Sequence, residues 1–243
     1  GPASCTNVSS DFYGKFSKSW ATGATPATRL RDWLDPANTG ISVLNGLDPA
    51  CRKLDVTLPW TKNLDTVNQS IPHLWKVRNP DADSCFLLVT GGYENLSGKA
   101  FRIVAEESNP IGRGDSLLVS PLGVSRYKNL RIQFRHAYRR INTQDSDTLQ
   151  VMVSRDCGSS FRKIASFSGA GLVSDQSTGV GFAFSPADTS QWIFNSLSLD
   201  STYNRAEQLV IGFGFTSGNA GTLWLDQIEL SGDTARSLPI ARF

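Results

Sequence analysis

The stretch from Asp147 to Phe161, DTLQVMVSRDCGSSF, carries the clearest pattern of apolar and polar positions in the chain. Leu149, Val151 and Val153 alternate with Gln150, Met152 and Ser154, a period of two that predicts a strand with one face on a core. Asp156, Cys157, Gly158 and two serines then supply turn chemistry, and Phe161 opens a second run, so the centre of the chain is expected to be a β-hairpin. Similar runs recur at 54–58, 74–77, 85–89, 100–104, 116–119, 129–137, 147–153, 161–167, 181–184, 191–197, 208–215 and 221–230. They are bounded by Gly, Pro, Asn and Asp, and no long periodic helix separates them. The pattern predicts an all-β chain, a jelly-roll β-sandwich of two antiparallel sheets.

Alternation within the runs assigns faces. Leu130, Ile132 and Phe134 oppose Arg131, Gln133 and Arg135. Leu209, Ile211, Phe213 and Phe215 oppose Val210, Gly212, Gly214 and Thr216, where glycine lets another segment approach closely. Leu223, Leu225 and Ile228 surround Asp226 on the last long strand. Trp75 and Trp224 lie in apolar runs and are expected in the core; Trp33, Trp60 and Trp192 have polar neighbours and are candidate ligand contacts. Residues 1–54 read as a small strand-rich lead-in or the end of a preceding module, 55–231 as the jelly-roll domain, and 232–243 as a linker.

Charge narrows the partners. The chain has 243 residues with 24 basic against 22 acidic side chains, a net charge of +2, which points away from nucleic acid. Arg131, Arg135, His136, Arg139 and Arg140 form the one basic cluster. On a strand Arg131, Arg135 and Arg139 share a face, read as a solvated sheet surface with a polyanion site as the alternative. No apolar run has the roughly 18 residues of a membrane span. Gly1-Pro2 reads as a protease-cleavage remnant, so the chain is expected to be a piece of a longer protein. Cys5, Cys51, Cys85 and Cys157 contain no CxxC pair, and two disulfides in an exported protein are expected. Three pairings are possible; Cys5 with Cys51 and Cys85 with Cys157 is favoured because each stays within one segment.

Candidate chemistry is sparse. NPDAD, residues 79–83, has calcium-loop oxygens but no EF-hand glycine or distant glutamate, and reads as an Asx turn. GRGDS, residues 112–116, contains the integrin-binding tripeptide Arg113, Gly114, Asp115, although Asp115 also begins a strand-like run. His73 and His136 are the only histidines; His136 is expected on a solvated strand face and His73 at an edge. With no GxSxG, HExxH or phosphate loop, no catalysis is expected.

The ordered set LPWTKNLD, IPHLWKVRNPDAD, SGKAFRIV, GDSLLVSPL, LRIQFRHAYR, DTLQVMVSRDCGSSF and TLWLDQIEL resembles the MAM-like jelly-roll domains of bacterial multidomain secreted proteins. Those domains accompany PKD domains or pappalysin-type metalloproteases, are often type IX secretion cargo, and are distantly similar to gingipain cleaved-adhesin domains. The resemblance implies a non-catalytic binding or adhesion module, secreted or on the cell surface, whose partners are neighbouring domains of its parent protein and a glycan or surface protein. The alternatives are a structural accessory domain beside a secreted protease and a carbohydrate-binding module. The resemblance also implies a calcium ion shared by a carboxylate entering the sandwich and one on the last strand, here Asp65 and Asp226. Lys62-Asn63-Leu64-Asp65 and Gln227 depart from the family pattern at that site. The alternative for Asp226 is pairing with an arginine or with backbone N–H groups of a nearby loop.

Overall fold

The computed structural model describes residues 53–62, 64, 74–80, 85–94, 96–105, 112, 114–140, 147–175, 184–218 and 220–235. Their strands are β1 (Leu54–Asp55), β2 (Trp60–Lys62), β3 (Trp75–Arg78), β4 (Leu87–Thr90), β5 (Lys99–Val104), β6 (Gly114–Val119), β7 (Leu122–Gly123), β8 (Tyr127–Arg140), β9 (Thr148–Ser154), β10 (Arg162–Ser168), β11 (Ile193–Ser198), β12 (Val210–Thr216) and β13 (Gly221–Thr234). One antiparallel sheet has the order β10-β9-β12-β6-β3; the other runs β11-β8-β13-β5-β4, with β2 paired to β13. This is the two-sheet sandwich that the alternation predicts.

The inward positions of both sheets meet in one core. Leu130, Ile132 and Phe134 of β8 face Leu149, Val151 and Val153 of β9 and Ile211, Phe213 and Phe215 of β12, with Leu223, Leu225 and Ile228 of β13 beside them. Phe134 lies edge-on to Phe213 at 5.2 Å and to Phe167 at 6.1 Å, a geometry that suits the aromatic quadrupoles. The expected hairpin is β9 with β10, paired from Ser168↔Thr148 to Arg162↔Val153. Its turn is closed by Asp156, whose carboxylate accepts from Ser154 Oγ (2.6 Å), Ser160 N (2.9 Å) and Ser160 Oγ (2.6 Å). Partial burial pushes that carboxyl up, but the serine hydrogen bonds outweigh it and hold it below its usual range.

Several boundaries differ from the sequence reading. The run at 54–58 yields only β1, held parallel to β7, because Tyr127 Oη takes the next backbone groups: it accepts from Leu58 N and donates to Val56 O. The three-residue β2 was not anticipated and pairs with the far half of β13. β13 runs to Thr234, past the expected start of the linker, because register shifts after Asp226 and Ser231 let it keep pairing with β8. The lead-in to residue 52 and residues 236–243 lie outside the described residues, as do 181–183 of one expected run.

β13 begins under a tight constraint. A Cβ on Gly221 would lie 2.1 Å from Arg139 O, whereas one on Gly171 would meet nothing within 4 Å. Gly221→Ala is therefore expected to cost about 1–3 kcal/mol or more in denaturant unfolding, and Gly171→Ala to stay within about 0.5 kcal/mol of the parent.

Candidate binding face

The site is built on the outer face of the six-stranded sheet, which divides into a covered and an uncovered half. In the covered half Trp224, flanked by the inward Leu223 and Leu225, points away from the sandwich and packs with Ala100, Ala137, Phe184 and Trp192. Its indole Nε1 donates to Phe184 O at 2.8 Å. Gly91 permits the approach of the loop after β4, since a Cβ there would sit 2.8 Å from the Trp224 ring. Arg102 lies over Trp224 at 5.6 Å, and burial lowers its pKa. Arg139 lies over Phe184 at 4.8 Å, with Asp175 at 4.0 Å.

These contacts correct two expectations. Trp224 is buried, but in a second cluster outside the sandwich interior. Trp192 is not an exposed contact: it is 5% exposed, because its polar neighbour Gln191 turns aside to bind Ala187 N and Asp175 while the indole enters the cluster. Trp75 sits in the main core, 4.9 Å from Phe101, as expected. Trp60 packs half-buried against the same core, and Trp33 lies outside the described residues.

In the uncovered half three strands align nine positions. The rows are Phe194, Arg135 and Asp226; Ser196, Gln133 and Glu229; and Ser198, Arg131 and Ser231. Phe194 is 51% exposed. The Arg135 guanidinium lies between two rings, 3.9 Å from the Tyr93 centroid and 5.2 Å from that of Phe194. Its Nε donates to Gln227 Oε1 at 2.8 Å. Gln227 reaches it from the bulge in β13, where its φ is 48°. The expected solvated arginine face is thus correct for Arg131, while Arg135 and Arg139 are stacked on aromatic rings.

Asp226 assembles this corner. One carboxylate oxygen accepts from Tyr93 N and the other from Gln227 N, both at 2.7 Å, so Asp226 ties the Tyr93 loop to the bulge. Both oxygens are engaged by N–H donors, an arrangement suited to anchoring a loop. Asp65 lies outside the described residues, and among the described residues no group of three or more His, Cys, Asp or Glu could hold a metal.

His136 is buried, contrary to expectation, because it continues the inward parity of Leu130, Ile132 and Phe134. Nδ1 accepts from Asn195 Nδ2 at 2.8 Å, and Nε2 donates to Leu172 O at 3.0 Å. Burial lowers its pKa to about 4, against the raising effect of the Leu172 bond. No nucleophile contacts it among these partners, and His73 lies outside the described residues. Asp115 is buried in β6 opposite Phe215, so it does not form an exposed integrin-type tip; Arg113 lies outside the described residues. Asp81 and Asp83 are also outside. Cys85 and Cys157 are both disulfide-bonded, and Cys5 and Cys51 lie outside the described residues. A shallow hollow of about 350 Å³ at the β9–β10 turn is lined by Arg155, Asp156, Arg162 and Glu207. Ion pairs already engage Arg162 with Asp200 and Glu207 with Lys53, each at 2.9 Å.

No family model matches the sequence. The fold is similar to that of a cleaved-adhesin domain. The K1 cleaved-adhesin domain of Lys-gingipain from Porphyromonas gingivalis W83 superposes with a TM-score of 0.51 at 13% identity, covering 73% of this chain and 99% of that one. The carbohydrate-binding module CBM27-1 of Caldicellulosiruptor saccharolyticus, solved with mannohexaose, gives 0.50 at 11% identity, covering 74% and 100%. These similarities establish the β-sandwich.

Tyr93 and Phe194 were not singled out from the sequence, and Gln227 entered only as a departure from the family pattern. Registering the alternation of IFNSLS in β11 against β8 would have placed Phe194 beside Arg135; nothing local foretold the Gln227 bulge. The buried histidine carries a pH signature. Its pKa falls from 6.5 in the unfolded chain to about 4 in the fold, so its neutral form stabilises the fold at neutral pH. That stability is lost as pH drops through this window, by about 3 kcal/mol. Asp147, whose carboxyl is raised by burial, works in the opposite sense. Denaturant unfolding between pH 7 and 4 is expected to fall more steeply for the parent than for His136→Asn; parallel curves would contradict this.

Proposed function

We propose that this chain is a non-catalytic binding module that takes a glycan on the uncovered half of its outer sheet face. The observation that carries the reading is Phe194, an aromatic ring half exposed on a flat sheet face beside a guanidinium held in place by Tyr93 and Gln227. A ring so placed offers a stacking surface for the apolar face of a sugar, and Gln133, Ser196, Ser198 and Ser231 offer partners for hydroxyl groups. The rows lie open on the sheet, which suits a polymer held along its length better than a small molecule enclosed in a pocket.

An exported, multidomain bacterial setting, with a role in adhesion, belongs to the same proposal. Its support is the ordered motif resemblance and the oxidised state of Cys85 and Cys157. No helix among the described residues is long and apolar enough to cross a membrane. For Asp226 we favour the loop-anchoring role over the calcium site, on the two N–H donors that occupy its oxygens.

A glycan array followed by calorimetry tests the binding face. Phe194→Ala is expected to weaken glycan binding about tenfold or more while leaving the melting temperature unchanged, since the ring adds little to the core. Binding that survives this change would place the ligand elsewhere. Glycan binding absent altogether would favour the structural accessory role, in which this face packs on a neighbouring domain.

A further inference from the structure

We propose that the ligand of this face is an acidic polysaccharide carrying carboxylates at intervals, read by Arg135 and Arg131. The inference rests on the binding face proposed above and adds the charge of its ligand. Both arginines lie on one face of β8, four residues apart, which sets their backbone positions about 14 Å apart along the strand. Ion pairs within the described residues join Lys53 with Glu207, Arg139 with Asp175 and Arg162 with Asp200; Arg131 and Arg135 enter none of them.

Arg135 is prepared for a carboxylate. Its hydrogen bond to Gln227 uses Nε, which leaves both Nη atoms for a ligand. The rings of Tyr93 and Phe194 pack against the guanidinium and restrict its movement, so little rotamer entropy is left to lose on binding. A carboxylate accepts two parallel hydrogen bonds from such a fork.

The acids of the face set the pattern. Asp226 is buried and its two oxygens accept from backbone donors of the Tyr93 loop and the bulge, so it is turned to those segments and not to the open rows. Glu229, aligned with Gln133, stands midway between the two arginines. It repels a ligand charge at the middle of the strip and so favours carboxylates at its ends. An acidic peptide could also be read by an arginine pair, but it lacks the apolar sugar face that the exposed Phe194 ring would stack on.

The test titrates the whole chain with oligogalacturonate, with the same oligomer methyl-esterified, and with polyglutamate. The acidic oligomer is expected to bind about tenfold or more tighter than its ester, and increasingly weakly as salt rises. Arg131→Gln, a change at an exposed position, is expected to lower that affinity about three- to tenfold at an unchanged melting temperature, and Arg135→Gln to lower it at least as much with the chain still folded. Arg135→Lys should fall between, because it keeps the charge and loses the fork. Equal affinity for the ester, with Phe194→Ala still abolishing binding, would overturn the acidic ligand and leave the binding face standing. Polyglutamate binding as tightly as oligogalacturonate would overturn the polysaccharide. No binding to any glycan would remove both readings.

Discussion

Trp224 imposes the constraint on which the candidate face depends. It lies on an outward position of a central strand, and an indole left in water there would forfeit about 4–6 kcal/mol of burial. The chain solves this by folding two loops over it. Gly91 brings one loop against the ring, and Phe184 and Trp192 bring the other, with the indole N–H satisfied by Phe184 O. The cover reaches only part of the sheet. Where it stops, β8 and β11 present Arg131, Ser196 and Ser198 to solvent, with Glu229 and Ser231 of β13 half-buried beside them, and Phe194 stands at that border.

The border is rigid for local reasons. Asp226 anchors the Tyr93 loop through one oxygen and the β13 bulge through the other, and the bulge turns Gln227 toward Arg135. From beneath, the buried His136 accepts from Asn195, the residue after Phe194. The exposed ring therefore rides on a strand pinned from within the core, and the guanidinium beside it is held by three neighbours. Preorganisation of this kind lowers the entropic cost of binding an extended ligand.

The alternating runs made the sandwich legible: Leu130, Ile132 and Phe134 reach the core as their spacing predicts, and the hairpin of β9 and β10 forms where the apolar periods flank Asp156 and Cys157. The site was much less legible. Strand parity gave the direction of Arg135 but not its stacking on Tyr93, which comes from a distant loop. Trp192 looked exposed because its sequence neighbours are polar, whereas burial is decided by the cluster around Trp224. His136 was grouped with the arginines by composition, although the parity of its own strand points it inward. Long-range register and loop cover account for these differences, and neither is written in local periodicity.

The most direct measurement is amide chemical-shift mapping of the isotopically labelled chain during titration with oligogalacturonate. The account predicts shifts concentrated on Arg131, Gln133, Arg135, Phe194, Ser196 and Gln227, with the β3–β6 side of the opposite sheet unchanged. Shifts centred on that opposite sheet, or on the hollow beside Arg155 and Arg162, would contradict it.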